Sequence, residues 1–176
     1  MKLFVLVASM AVPVLAYGQS TMSCPMHEQH QTASDQHAAG VDARGDHAMG
    51  FSHEKSAHHF HLLPDGGTIE VVADDAKDAA TRDEIRMHLS HIAKMFIDGD
   101  FQVPMFIHDT TPPGVPMMMS KRSAITYAFE PTTNGGQVRI ASADPEAVKA
   151  IHEFLAFQID DHRTGDSKVI APPAHE

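Results

Sequence analysis

The chain has 176 residues, a formal net charge of −10 with neutral histidines, and 14 His and 11 Met against one Cys and no Trp. The acidic balance argues against nucleic acid or an anionic membrane as partner, since both require clustered Lys and Arg, and a single cysteine excludes an internal disulfide. The surplus points to metal, because neutral imidazole is the commonest ligand for copper, zinc, iron and nickel, while a thioether is a soft ligand that favours Cu(I).

Met1-Lys2, an apolar run from Leu3 to Leu15 and the small residues of Ala16-Tyr17-Gly18 predict a secretory signal over residues 1–18. The run is too short for a membrane anchor, which needs about 20 apolar residues. The mature protein is therefore expected in the periplasm or outside the cell. Residues 19–50 lack hydrophobic periodicity and are dominated by Ser, Gln, Asp, Ala and His, so they read as a disordered His-rich tail. Regular patterning then spans residues 51–166, and residues 167–176, with Pro172-Pro173, read as a disordered C-terminus.

Inside the patterned segment, Ser56 to Leu63 and Thr68 to Val72 flank Pro64-Asp65-Gly66-Gly67. This predicts a hairpin in which Asp-Gly-Gly supplies positive backbone angles at the turn. A helix follows, opening on the acidic stretch Asp78 to Asp83, carrying Ile85, Leu89, Ile92 and Phe96 at helical spacing, and stopping at Gly99. Phe101 to Arg122, with Pro104, Pro112, Pro113 and Pro116, reads as a connector without periodicity. The device then repeats: Ser123 to Phe129, a turn through Thr133-Asn134-Gly135-Gly136, a strand over Gln137 to Ile140, and a helix from Asp144-Pro145 with Val148, Ile151, Leu155 and Ile159, stopping at Gly165. Two tandem ββα units predict an α+β fold, a four-stranded antiparallel sheet with two helices on one face.

One copy serves as a control for the other. Aligning Ser56-Ala57 with Ser123-Ala124 sets His58 over Ile125, and aligning the Gly-Asp ends sets His88 over Phe154 and His91 over Phe157. Three imidazoles then point into the layer between the first hairpin and its own helix. A buried polar group without a partner costs roughly 1–3 kcal/mol, and a bound ion would satisfy all three. Glu84 and Met95 continue the His88–His91 stripe. His108, Met105 and the run Met117-Met118-Met119 belong to the connector, which is expected to bring thioethers and an imidazole over the sheet. His59 and His61 alternate to the solvated face, and a capping role at the helix end suffices for His162.

Two resemblances add to this reading. Cys24-Pro25-Met26-His27 resembles the short heavy-metal-binding motif near the start of some copper-efflux adaptors and copper-transporting ATPases, where a Pro follows the His; here Glu28 stands in its place. The motif implies a thiolate, thioether and imidazole clasp for a soft ion. Residues 49–166 resemble a group of small exported bacterial proteins that share the Gly-Phe, His-His-Phe, Gly-Asp-Phe, Ile-His-Asp, Pro-Pro-Gly-Val and Thr-Gly-Asp punctuation found here around Phe51, Phe60, Phe101, His108, Val115 and Asp166. Some of that group carry the label aspartate carbamoyltransferase. The residues do not support it: a transcarbamylase is about twice as long, is cytosolic, and has a Ser-Thr-Arg-Thr phosphate loop that is absent here.

No His-Glu-x-x-His, Gly-x-Ser-x-Gly, nucleotide-binding glycine loop or haem-attachment motif is present. The reading is a periplasmic metal-binding protein for copper sequestration, delivery or tolerance, with zinc as the competing ion and an efflux or delivery protein as partner. The alternatives are an exported metal-dependent enzyme of unknown reaction and a metal-free adaptor domain.

Overall fold

The computed structural model describes residues 25–172, with side chains from residue 33 onward. The signal segment 1–18 and Cys24 lie outside the described residues, as do the side chains of Met26 and His27. Helix α1 (Pro25–Met49) precedes strands β1 (Ser56–Leu63) and β2 (Gly66–Ala73) and helix α2 (Ala79–Ile97). Short helices α3 (Gln102–His108) and α4 (Val115–Ser120) lead to β3 (Ile125–Thr132), β4 (Gly135–Ser142) and α5 (Pro145–Asp161). The expected α+β architecture is present, and all four strands form one antiparallel sheet in the order β1-β2-β4-β3. Among the described residues no helix is long and apolar enough to cross a membrane.

The helix starts follow the sequence signals. Asp78 accepts a hydrogen bond from the Thr81 N–H at 3.1 Å, and Asp144 accepts from Glu146 and Ala147 ahead of Pro145 in the first turn. The second helix ends earlier than expected. Arg163, not Gly165, follows its C-cap, and it adopts φ 55, the left-handed conformation that Gly99 supplies at φ 76 after α2. The hairpin turns also differ from expectation. Pro64-Asp65 and Thr133-Asn134 form two-residue turns with negative φ, and the glycine pairs lie inside β2 and β4, where Gly66 does supply a positive angle, φ 144. Close approach explains their composition: a Cβ on Gly67 would lie 2.3 Å from both the His61 carbonyl oxygen and Leu155 Cδ1.

Each helix covers the other unit's hairpin. α2 lies mainly on β3 and β4, and α5 lies on β1 and β2. The expected pairing of the first hairpin with its own helix is therefore replaced by a crossed one. The connector that permits the crossing is not structureless: Phe101 stacks on Phe96 with ring centroids 4.4 Å apart, anchoring α3, and Val115 and Met118 anchor α4 in the core against α5.

The largest departure is the expected tail. Residues 25–49 form a helix with almost no amphipathic character, yet Val41 and Met49 are buried at 1% and 8% exposure, and Gly45 lies between them. The stripe is narrow, three positions four residues apart, which is why hydrophobic patterning does not reveal it. α1 rests on α3, where the Arg44 Nε–H donates to the Ile107 carbonyl at 2.7 Å. At the other end, residues 167–172 carry no helix or strand, and the Ala171 N–H donates to the Leu62 carbonyl at 2.8 Å.

Because few apolar side chains hold α1, one buried charge should release it. Val41→Asp is expected to lower hydrogen-exchange protection across residues 33–48 by about tenfold or more while amides of β2 and β4 stay protected. Unchanged protection in residues 33–48 would mean that α1 is held by something other than this stripe.

Candidate metal centre

The two units superpose with constant offsets that the turns and caps define. Equating Pro64-Asp65 with Thr133-Asn134 sets His58 over Tyr127, two residues from the Ile125 expected from sequence. A slip of two keeps each side chain on its face, so the inward placement of His58 survives the change of partner. Equating the caps Asp78 and Asp144 sets His88 over Phe154 and, at the far end, His162 over Phe96.

In one half of the molecule these positions form an aromatic contact, in which the Tyr127 hydroxyl is buried without a partner. Phe96 meets Tyr127 at 5.7 Å and Phe154 at 6.1 Å between ring centroids. In the other half the same positions are His162, His58 and His88. These three partly buried rings line one cavity of about 60 Å³, together with Met49, His108 and Gln158. His58 and His162 lie parallel with centroids 5.3 Å apart, His108 meets His162 edge-on at 4.9 Å, and His88 takes the edge of Phe51 at 5.8 Å.

Burial strips water from these rings and disfavours their charged forms. His58 is lowered to about 4 by burial and then by His88; His88 is lowered to about 4 by burial and then by His91. His162 falls to about 3 by burial, with His58 and His108 adding to the effect and Asp161 opposing it. All three are neutral imidazoles at physiological pH, the state a metal requires. The expected cationic capping role of His162 is thereby overturned, although it does sit at the C-cap of α5. None of the three rings has a protein hydrogen-bond partner among the described residues.

His108 is different, being 1% exposed and fully engaged. Its Nδ1 faces Asp161 Oδ2 at 2.5 Å and its Nε2 lies 2.8 Å from Gln158 Oε1. The Gln158 Nε2 is buried without a partner. A half-turn of that amide would let its NH₂ donate to His108 Nε2 and leave an unpaired carbonyl, which costs less than an unpaired N–H. Burial opposes ionisation of Asp161, but hydrogen bonds from His108 and His37 together hold its carboxyl below the ordinary value. His108 is thus a pairing group beside His162, and its nitrogens are not free.

The other expected site residues do not converge. His91 and Glu84 are exposed, and Met95 is partly buried on the flank of the core. At roughly 100° per residue, His88 sits at the edge of the Ile85–Leu89–Ile92–Phe96 stripe and His91 lies about 60° further round. Met117 and Met119 are exposed at 40% and 46%, while Met118 is fully buried in the core between α4 and α5. Neither Met105 nor this run reaches the cavity; the thioether that does is Met49, from the segment read as a tail. On the outer face, His59 Nδ1 lies 3.2 Å from Asp166 Oδ1 and His61 Nε2 lies 3.8 Å from Glu70 Oε2, as strand alternation requires. The signal for His162 is present in the sequence: the alignment that flags His88 against Phe154 also sets His162 on a core phenylalanine. As the side chains stand, no group of three or more His, Cys, Asp or Glu among the described residues is set to hold a metal ion.

The lowered values make acid stability a direct test on metal-free protein. Above pH 6.5 the three rings are neutral whether folded or not; below it the unfolded chain takes up protons that the folded chain refuses. Stability therefore declines from pH 6.5 until the folded values near 4 and 3 are passed. Urea titrations should show that fall: three rings at about 1.4 kcal/mol per pH unit each sum to about 8 kcal/mol by pH 4.5 as an upper bound, and solvent access to these partly buried rings reduces it. A variant carrying the other half's residues, His58→Tyr, His88→Phe and His162→Phe, should lack most of that fall between pH 6.5 and 4.5. An equal fall in the variant would show that the rings titrate normally.

The chain matches no protein-family model, no curated protein and no solved structure, so the functional reading rests on the site itself.

Proposed function

We propose that this protein is an exported metal-binding protein that sequesters or delivers copper, holding the ion with His58, His88 and His162. The observation that carries the reading is the substitution of a packed Phe–Tyr–Phe contact by three neutral, unpartnered imidazoles at equivalent positions of one duplicated fold. A mainly aromatic solution for these positions exists in the same molecule, although its Tyr127 hydroxyl is buried without a partner. The histidine solution keeps ring stacking between His58 and His162 and leaves ring nitrogens that have no protein partner and are not fully buried. A bound cation would use those nitrogens.

The spacing suits a shared ion. With metal–nitrogen bonds of about 2.0–2.1 Å, two imidazoles on one tetrahedral centre have ring centroids roughly 5 Å apart. His58 and His162 are 5.3 Å apart but parallel, so binding requires the rings to turn toward a common point within the cavity. Met49 supplies the preference for copper over zinc, since a soft thioether binds Cu(I), serves Cu(II) as a weak axial ligand, and adds little to zinc, so no change of oxidation state is needed. The Cys24-Pro25-Met26-His27 motif would serve as a separate soft-ion clasp.

Elemental analysis of the full chain after copper challenge and dialysis tests the reading. The His58→Tyr, His88→Phe, His162→Phe variant, folded by circular dichroism, is expected to lose about one equivalent of copper relative to the parent. His91→Ala and Met119→Ala are expected to keep the parent's content. Equal copper in parent and triple variant would remove the chamber from consideration and leave the Cys24 motif as the binding element.

A further inference from the structure

A second cavity adjoins the first. It is an open cleft of about 260 Å³, lined by Asp42, His53, His58, His59, His162 and Thr164 among others. His58 and His162 line both spaces, so they form the wall between the cleft and the inner chamber. At the outer end, His53 Nδ1 is bonded by both Asp46 carboxylate oxygens, at 2.9 and 3.0 Å. A carboxylate on one ring nitrogen fixes the orientation of the imidazole and presents the opposite nitrogen as a ligand. That opposite nitrogen, Nε2, lies 4.0 Å from Asp42 Oδ2.

Four ångströms is too long for a hydrogen bond. It is within the span of an ion between the two atoms: bonds of about 2.0–2.1 Å place nitrogen and oxygen ligands roughly 3.3–4.1 Å apart as the angle opens from tetrahedral to linear. The Asp42 carboxylate makes no hydrogen bond among the described residues, its contact with His53 being an ion-pair distance, and its side chain and those of His53 and Asp46 are 47%, 40% and 36% exposed. Ligands this accessible exchange readily with water.

We propose that Asp42 and His53, with Asp46 holding the ring, form a loading station for a hydrated divalent transition-metal ion, which passes between His58 and His162 into the chamber. The proposal rests on the metal-binding reading above and adds a second, surface site with nitrogen and oxygen donors. The station favours a hydrated divalent ion because it offers no sulfur and leaves coordination positions open to water. Two carboxylates at the mouth of the cleft also draw cations toward it, and the pull weakens with salt.

The test is the rate at which metal-free full chain takes up Cu(II) from solution, followed by visible absorbance after rapid mixing. Asp42→Asn should slow uptake about threefold and Asp42→Lys about tenfold or more at low salt, with the final absorbance unchanged because the chamber is intact. Raising salt to about 0.5 M should bring the parent toward the Asn variant. His53→Gln, which removes the presented nitrogen, should slow uptake even at high salt. Equal rates in all four proteins with a full end point would overturn the station and leave the chamber standing. Loss of the end point in Asp42→Lys alone would make Asp42 part of the resting site and also overturn it. No uptake by any of the four proteins would sink the chamber and the station together.

Discussion

The pairing of β2 with β4 is the contact on which the rest depends. Each hairpin alone is two-stranded, an arrangement that is marginally stable at best in water. Joining them edge to edge, from Gly66 opposite Ala141 to Val72 opposite Gly135, produces one sheet with one apolar face. The crossed helices then lock the join, because α2 leaves the first hairpin to lie on the second and α5 returns to cover the first. Neither ββα unit has a complete core without the other.

The same crossing builds the chamber. It brings His162, at the end of the second unit's helix, onto His58 of the first unit's strand, just as it brings Phe96 onto Tyr127 in the opposite half. Duplication thus supplies two equivalent sets of positions beneath the helix ends. One is an aromatic contact, and its Phe96 and Phe154 also line the cavity. The other carries imidazoles, where α1 adds Met49 and α3 adds His108, which pairs with Asp161 and Gln158 of α5. The asymmetry of the molecule is concentrated where the polar residues are.

α1 therefore belongs to the site. Its Asp42 and Asp46 face His53 at the outer cleft, its Met49 lines the inner cavity, and its His37 Nε2 lies 2.8 Å from the same Asp161 that pairs with His108. These bonds are mostly polar and partly exposed, each worth little in isolation. Their function is positional: they hold a weakly anchored helix over an opening, where a small number of buried side chains decides whether it stays.

Much of this was legible in the sequence. The repeat, the fold class, the capping residues Asp78 and Asp144, and the inward faces of His58 and His88 all follow from local rules, because turn chemistry, capping and strand alternation act over a few residues. The docking of α1 was not legible, since three contact positions in 25 residues leave no periodic signal. The convergence of His58, His88 and His162 was legible only in part. Sequence alone determined that imidazoles stand where the other copy of a duplicated core has apolar side chains, His58 against Ile125 and His88 against Phe154, because the two copies can be compared position by position. Only the tertiary structure decided that they line one cavity, because which helix covers which hairpin depends on the sheet join and the crossover, a contact between distant segments that no local pattern encodes.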